Sequence, residues 1–308
     1  MICFVFTVTR SFSSSESQIV QRYIMTVEQF LQYDDLVNSS RAAQLWPAIL
    51  SKCFESLRDD NLVMMLVKLI MRGYQNQVNA VNLHHFMECF SGSGNLTREL
   101  LRAGYSGTGF DSCNSESQNI LDPSGFELVV NCLTALRHRG LLWLGTPCSS
   151  FVVLCRAQSA RNLANSYLGD QSRGFVVLGN CLGELSALLF FLSSCLGIWA
   201  VLEQPQSSCL PVMATMKAVL RFFRAQKYTT YMGQYGGASM KPLQIWSTWS
   251  QMSGLQCPRP ETGGGEALVI REGKAFTGCK QLLELSQVYT ACFGRAVAQI
   301  CQSEWHSV

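Results

Sequence analysis

The sequence has little charge of either sign and little histidine. Of its 308 residues only 15% are charged and four are histidines, and the formal net charge is +3. So small an imbalance argues against binding of nucleic acid through bulk electrostatics, although it leaves room for a local basic face. The hydrophobic content of 48% excludes a disordered chain and predicts a globular protein with a sizeable buried core.

Paired metal-ligand spacings are also missing. The 14 cysteines are scattered, with no Cys-x-x-Cys pair and no cysteine–histidine cluster at zinc spacing. The apolar run at residues 2–8 is too short for a secretory signal and has no basic start. We therefore expect reduced thiols in an intracellular compartment, with nucleus, cytoplasm and organelle left open.

One apolar run, residues 185–202, is about as long as a membrane span. It contains Gly197 and continues directly into Glu-Gln-Pro. We predict a buried helix, a stop at this glycine and a short core strand, and no interaction with a membrane.

The pattern of predicted secondary structure changes near residue 81. Residues 1–80 have apolar residues at helical spacing after cap-type serines, which predicts a helical N-terminal extension whose protein partner is unknown. Residues 81–308 alternate strand-like and helix-like segments, which predicts an α/β fold of Rossmann-like type, a mostly parallel sheet with helices on both faces. A small irregular segment is expected at about 250–280. The predicted elements include a short strand at 119–122, a helix at 126–140, a strand at 228–236 and a closing helix at 282–301.

The first candidate site is the segment ECFSGSGNLTREL, residues 88–100. It predicts a strand, a turn through Gly92 and Gly94, and a helix that begins near Asn95. Glycine allows positive φ and close approach of a ligand, and a helix N-terminus offers N–H groups. Because Thr97 stands where a full Gly-x-Gly-x-x-Gly motif has its last glycine, a tight turn with no ligand is an equal alternative.

Acidic residues follow the next two predicted strands. Asp111 comes roughly twenty residues after the glycine turn, where an acid can hydrogen-bond a ribose diol. The alternative is a helix N-cap. Asp122 ends the following predicted strand, where it could meet an adenine ring. Together these acids favour a ligand that contains a nucleoside.

A cysteine and a glutamate complete the set of strand ends. Cys148 follows the apolar run LLWLG and the exit Gly-Thr-Pro, and Glu203 follows the apolar strand that precedes Pro205. A thiol at such a strand end can act as a nucleophile, and a carboxyl group with a raised pKa can act as an acid. The plainer alternatives are a core cysteine, and an N-cap or ion-paired glutamate.

This order of features resembles the cytosine-5 DNA methyltransferases of the class I S-adenosylmethionine-dependent fold. FSGSGN matches their glycine-rich turn, Pro147–Cys148 matches their Pro-Cys motif, and Glu203 matches their glutamate, with Glu-Gln-Pro in place of Glu-Asn-Val. The stretch GQYGGASMKPLQIWST is similar to a segment of phage and algal relatives. The resemblance covers about residues 83–250.

The resemblance implies S-adenosylmethionine as cofactor and cytosine in DNA as substrate, with RNA or another substrate as the alternative. Cys148 would add to carbon 6 of a flipped-out cytosine, and Glu203 would bond or protonate ring nitrogen 3. The implied cofactor-binding residues are Glu88, Phe90, Ser91, Gly92, Gly94, Asn95, Asp111, Asp122, Thr146 and Pro147. The implied substrate contacts are Ser149, Arg161, Gln204 and Lys241.

The sequence departs from the family at the elements that recognise DNA. It has no Gln-x-Arg-x-Arg motif after Glu203, and residues 250–280 are far fewer than a usual target-recognition domain. A row of four basic residues at helical spacing is more often a solvated helix face; these are Lys217, Arg221, Arg224 and Lys227. A catalytically silent relative that binds the cofactor or nucleic acid therefore stays as an alternative.

Overall fold

The computed structural model describes residue 76 and residues 83–237, 239–259, 269–272, 275–278 and 286–305. Within the predicted helical extension only Asn76 is described, and it is helical. The other predicted helices of residues 1–80 lie outside the described residues.

Six strands form one mixed sheet in the order β2-β1-β3-β4-β6-β5. β1 pairs in parallel with β2 and β3, β3 pairs in parallel with β4, and β6 pairs antiparallel with both β4 and β5. Strands β7 and β8 form a separate antiparallel hairpin. The bounds are β1 His84–Cys89, β2 Gly107–Phe110, β3 Leu136–Leu144, β4 Trp199–Pro205, β5 Gln226–Tyr231, β6 Pro242–Ser247, β7 Val269–Glu272 and β8 Ala275–Gly278.

Helices cover both faces of this sheet, so the α/β class is as predicted. The α-helices of the described residues are α1 Asn95–Arg102, α2 Pro123–Thr134, α3 Arg156–Ser159, α4 Gly174–Cys195, α5 Ala214–Phe222 and α6 Ala291–Trp305. Two short 3-10 helices, Met232–Tyr235 and Ser250–Leu255, follow β5 and β6.

Alternating side chains of the strands produce two separate cores. Leu142 and Leu144 of β3 pack with α2, α4 and α5, whereas Leu141 and Trp143 pack with α1 and α6. Successive side chains of a strand point to opposite faces, so a continuously apolar strand such as β3 supplies both cores. This is why LLWLG has no polar residue.

Helix α4 is the one helix of the described residues that is long and apolar enough to cross a membrane. In its most apolar window 72% is buried inside the protein. The helix ends at Cys195 and β4 starts at Trp199, with Gly197 between them. The prediction of a buried helix, a glycine stop and a core strand is confirmed.

Several predicted boundaries are wrong. Residues 119–122 form a turn, because Asn119 accepts the N–H of Leu121 on its side chain and that of Asp122 on its backbone, and Pro123 then starts α2. Residues 136–140 belong to β3 rather than to the preceding helix. The strand predicted at 228–236 ends at Tyr231, and the closing helix begins only at Ala291.

Candidate active site

The turn between β1 and α1 has open space beside its glycines. Gly92 and Gly94 have φ values of 50° and 66°, and a Cβ on either would meet no atom of the described residues within 4 Å. Positive φ explains why glycine is needed here. The open space means that a ligand could approach the backbone of this turn directly.

Asp111 joins the end of β2 to this turn. Its Oδ2 accepts the N–H of Gly92 at 2.8 Å, and its Oδ1 accepts the N–H of Cys113 at 2.8 Å. Each carboxylate oxygen can accept a further hydrogen bond. The structure therefore brings Asp111 to the glycine turn with acceptor capacity left.

Asp122 has a different position from the predicted one. It does not end a strand; it is the N-cap residue of α2, and its Oδ2 accepts from Asn119 Nδ2 at 2.9 Å. The strand prediction failed because the side chain of Asn119 stabilises a local turn, as Asn often does.

Glu88 is fully buried at the end of β1. Its Oε2 accepts the backbone N–H of Thr97 at 2.9 Å and the Thr97 hydroxyl at 2.5 Å. Its Oε1, like the hydroxyl of Ser91, is buried and has no hydrogen-bond partner among the described residues. Burial raises the pKa of Glu88 from 4.5 to about 7, despite the opposing bonds from Thr97. Thr97, which interrupts the glycine motif, thus binds this carboxyl group.

We predict that Glu88→Gln flattens the dependence of stability on pH. The pKa of Glu88 is higher in the folded state than in the unfolded state. Its contribution to the free energy of unfolding is therefore present below about pH 4.5 and is lost as pH rises through 7. A shift of this size corresponds to about 3 kcal/mol. Denaturant unfolding should show that, as pH rises from 4.5 to 8, the free energy of unfolding of the variant increases by up to that amount relative to that of the unaltered protein. Glu127→Gln, at an exposed position, is the control; an equal slope in both variants would contradict the prediction.

Cys148 lies outside the core, at the carboxyl edge of the sheet. The chain leaves β3 through Thr146, which is buried and bonds Ser186 through its hydroxyl at 2.7 Å. The Cys148 carbonyl then accepts the N–H groups of Phe151 and Val152, which closes a turn. Cys148 as a residue is partly exposed, and its neighbours Pro147 and Ser149 are exposed.

Glu203 lies on the neighbouring strand β4, close to the point along the sheet at which β3 ends. Leu144 is in register with Leu202, so Glu203 is one residue past the end of β3. Its side chain is only 7% exposed. Oε2 accepts from the hydroxyl of Tyr289 at 2.7 Å, whereas Oε1 is buried with no partner among the residues that the structure describes.

Gly145 allows the ends of two strands and the side chain of Tyr289 to come together. A Cβ at this position would lie 3.0 Å from the Tyr289 hydroxyl and 3.2 Å from the carbonyl oxygen of Phe90. Both distances are too short for an ordinary contact. The ends of β1 and β3 and the hydroxyl of Tyr289 therefore meet because residue 145 has no side chain.

Lys241 connects Cys148 and Glu203 electrostatically. Burial raises the pKa of the Cys148 thiol to about 11, and Lys241 opposes that rise while Glu203 adds to it. Burial also raises the pKa of Glu203, opposed by Lys241 and by the hydrogen bond from Tyr289. The lysine ammonium itself donates to the carbonyl of Ser286 at 2.8 Å. The three groups thus share one electrostatic neighbourhood.

We predict that Lys241→Met slows alkylation of Cys148 several-fold at a fixed pH below 10. Removing the cation removes the interaction that favours the thiolate, so the thiol pKa rises further and the reactive fraction falls. Site-resolved mass spectrometry with iodoacetamide measures this rate among the other thiols. Lys241→Arg, which keeps the charge, should react much like the unaltered protein, as should Lys227→Met. Equal rates for Lys241→Met and Lys241→Arg would refute the role of the charge.

Two predicted substrate contacts have structural roles instead. All five N–H groups of Arg161 donate to protein acceptors, and its side chain is 2% exposed; the acceptors are Ser150 O, Ser150 Oγ, Tyr167 O, Asn180 Oδ1 and Val176 O. Gln204 is also fully buried, donating to Thr146 O and accepting from Ser208. Neither prediction is supported, because no polar group of Arg161 is left over and Gln204 faces the protein.

A hydrogen bond that the sequence did not predict joins Asn95 to Tyr289. Asn95 Nδ2 donates to the carbonyl of Tyr289 at 2.6 Å, so the side chain predicted to bind cofactor holds a protein segment. Tyr289 was missed because residues 282–301 were predicted as one helix. A signal was present: Thr290 accepts the N–H of Phe293 as a helix N-cap, which places Tyr289 before the helix.

No model of a protein family matches the sequence, and no curated protein matches it. The function is therefore inferred from the geometry of the site.

Proposed function

We propose that the chain is an S-adenosylmethionine-dependent methyltransferase that methylates carbon 5 of cytosine, with DNA as the favoured substrate. One observation carries this proposal. The partly exposed residue Cys148 and the buried residue Glu203 lie at the carboxyl ends of adjacent strands, and the thiol and the carboxyl group both interact with Lys241. A nucleophile, an acid and a cation in this arrangement match what addition to a cytosine ring requires.

The topology supports a ligand crevice at this edge. From β1 the chain passes to β2 on one side and then to β3 on the other. In open α/β sheets ligands bind outside the carboxyl ends of the strands at such a switch point. The glycine turn follows β1 and Cys148 follows β3, so both would lie beside this crevice. The class I methyltransferase fold that we propose requires this arrangement.

The residues at the glycine turn fit the proposed cofactor. The space beside Gly92 and Gly94 is open, and Asp111 keeps acceptor capacity for a ribose hydroxyl. Glu88 Oε1 and the hydroxyl of Ser91, which have no hydrogen-bond partner in the described part of the chain, would be further polar groups for the amino-acid part. When bound, S-adenosylmethionine supplies an electrophilic methyl group on its sulfonium.

The remaining steps belong to the residues of this chain. Cys148 loses its proton to water and its sulfur adds to carbon 6 of the base, while Glu203 gives a proton to nitrogen 3. Carbon 5 then gains nucleophilic character and takes the methyl group. Loss of the carbon 5 proton to water and cleavage of the sulfur–carbon bond release the product, and nitrogen 3 returns its proton to Glu203.

Transfer of labelled methyl groups to a panel of DNA, RNA and protein tests the proposal. We expect label in cytosine-containing DNA, together with binding of S-adenosylhomocysteine in calorimetry that Asp111→Asn weakens. Label in RNA alone would mean that RNA, rather than DNA, is the substrate. Absence of cofactor binding would overturn the methyltransferase proposal.

One observation favours a catalytically silent binding module as the second candidate. A thiol with a pKa of about 11 is almost fully protonated at neutral pH, as in an inert buried cysteine. Such a module would bind S-adenosylhomocysteine but transfer no methyl group to any member of the panel.

We also propose an intracellular location. Each of the eleven cysteines in the part of the chain that the structure describes is a free thiol. Free thiols are typical of reducing compartments.

A further inference from the structure

A chain of two hydrogen bonds leads from the core to the carboxyl group of Glu203. The indole N–H of Trp143 donates to the hydroxyl of Tyr289 at 3.2 Å, and that hydroxyl donates to Glu203 Oε2 at 2.7 Å. The second carboxyl oxygen, Oε1, is buried and has no hydrogen-bond partner among the described residues. The two oxygens of one carboxyl group thus have very different surroundings.

The direction of these bonds is fixed by the indole. Trp143 can only donate, so the hydroxyl of Tyr289 must accept from it. The one hydroxyl proton of Tyr289 is then left for Glu203 Oε2. If Glu203 carried its acid proton on Oε2 and donated it to Tyr289, the buried hydroxyl proton of Tyr289 would have no acceptor among the described residues, which is unfavourable. A protonated Glu203 therefore carries its proton on Oε1.

We propose that Tyr289 is a positioning residue that confines the acid proton of Glu203 to Oε1, the oxygen left for the base. This inference rests on the proposed function, because it assigns the orientation of the acid in that reaction. Oε1 is the oxygen that donates to nitrogen 3 of cytosine, and Oε2 stays the acceptor of Tyr289 throughout.

Tyr289 is held firmly enough for this role. Asn95 Nδ2 bonds its carbonyl, and the next residue, Thr290, donates its hydroxyl to the carbonyl of Tyr235 at 2.6 Å. Its ring lies 6.1 Å from that of Trp143, edge to face, and 5.2 Å from that of Phe293. These contacts leave the hydroxyl aimed at Glu203.

In the described part of the chain, three charged or titratable groups interact with the Glu203–Tyr289 pair. Lys241, on the segment before β6, and Cys148, after β3, interact with Glu203. Glu88 of β1 interacts with Tyr289, whose own pKa is raised well above 10 by burial. Tyr289 thus stays a donor across the working pH range, and the remaining charges act alike in the two variants compared below.

Infrared difference spectra of the unaltered protein against Glu203→Gln isolate the carboxyl band of Glu203. In Tyr289→Phe we expect its C=O stretch at higher wavenumber, because Oε2 loses its donor. We also expect the pKa of Glu203 to rise, because that bond favours the carboxylate. Where methyl transfer is measured, it should fall about tenfold or more, as for other misplaced catalytic groups. The rate of methyl transfer should also decline at a higher alkaline pH than in the unaltered protein, because Glu203 keeps its proton to a higher pH.

Tyr235→Phe is the matched control. It deletes the same hydroxyl from a tyrosine whose ring also packs against Phe293, at 5.2 Å, but whose hydroxyl bonds Thr230 and Leu255. The inference is overturned if the Glu203 band and pKa are the same in Tyr289→Phe as in Tyr235→Phe. The infrared readout needs no turnover, so absence of methyl transfer in the unaltered protein counts against the proposed function alone.

A second variant keeps the test decisive if Tyr289→Phe does not fold. In Trp143→Phe the hydroxyl of Tyr289 loses the indole donor that polarises and orients it, so its hydrogen bond to Glu203 Oε2 weakens. We expect the C=O stretch of Glu203 to move to higher wavenumber, by less than in Tyr289→Phe. A band unchanged from that of the unaltered protein would overturn the inference.

Discussion

Replacing Cys148 by alanine is expected to reduce methyl transfer to cytosine by at least about 10³-fold, because no other group can form the bond to carbon 6. Cofactor binding should be nearly unchanged, since the thiol follows β3 whereas the open glycine turn follows β1. The effect should therefore appear in kcat rather than in the dissociation constant of S-adenosylhomocysteine. Labelled-methyl assays and calorimetry on the same preparation measure both quantities.

Cys155→Ala is the matched control for this variant. Cys155 is close enough to raise the pKa of Cys148, is also partly buried, and has a pKa raised by burial. It lies at the end of a 3-10 turn that carries no other candidate group. It should retain most of the activity. Equal losses in the two variants would point to a packing effect and contradict the nucleophilic role.

Replacing Arg161 by methionine is expected to lower the free energy of unfolding by about 3 kcal/mol or more. The guanidinium joins Ser150, two residues after Cys148, to the first turns of α4 and to Tyr167, and it lies 4.4 Å from the ring centroid of Phe151. Methionine of similar length would remove the donors of five acceptors, four of them buried. Denaturant unfolding at neutral pH measures the loss.

Arg156→Met separates this effect from a general loss of charge. Arg156 is exposed on α3, in the same segment, so its replacement should change the free energy of unfolding by no more than about 0.5 kcal/mol. We also expect Arg161→Met to speed alkylation of Cys148, because the turn that follows it loses its anchor. Similar stability of the two variants would show that Arg161 is not the anchor.

Features determined by neighbours in sequence could be predicted. The apolar run of β3 ends at Gly-Thr-Pro, and this alone indicated that Cys148 leaves the sheet rather than packing in it. The same reasoning placed Glu203 at the end of β4. In both cases a run of residues that must be buried stops at residues that break a strand.

Features determined by distant contacts could not be predicted. β6 runs antiparallel between β4 and β5, with Ile245 paired to Glu203 on one side and to Tyr228 on the other, and no local pattern shows such pairing. Arg161 looked like a free cation because its acceptors are spread from Ser150 to Asn180. The bond between Tyr289 and Glu203 spans 86 residues of the chain. The candidate nucleophile and acid were therefore predictable, and the groups that hold and polarise them were not.

Capture of a covalent adduct on DNA that contains 5-fluorocytosine is the most direct test of the proposed chemistry. Fluorine at carbon 5 cannot leave as a proton does, so the reaction stops after methyl transfer, with the base still bonded to the enzyme through carbon 6. With S-adenosylmethionine present, peptide mapping should find the base on Cys148, and Cys148→Ala should give no adduct. An adduct on another cysteine, or an equal yield from Cys148→Ala, would contradict the assignment of Cys148 as the nucleophile. Methylation of ordinary cytosine without any trapped adduct on the fluorinated DNA would contradict covalent catalysis itself.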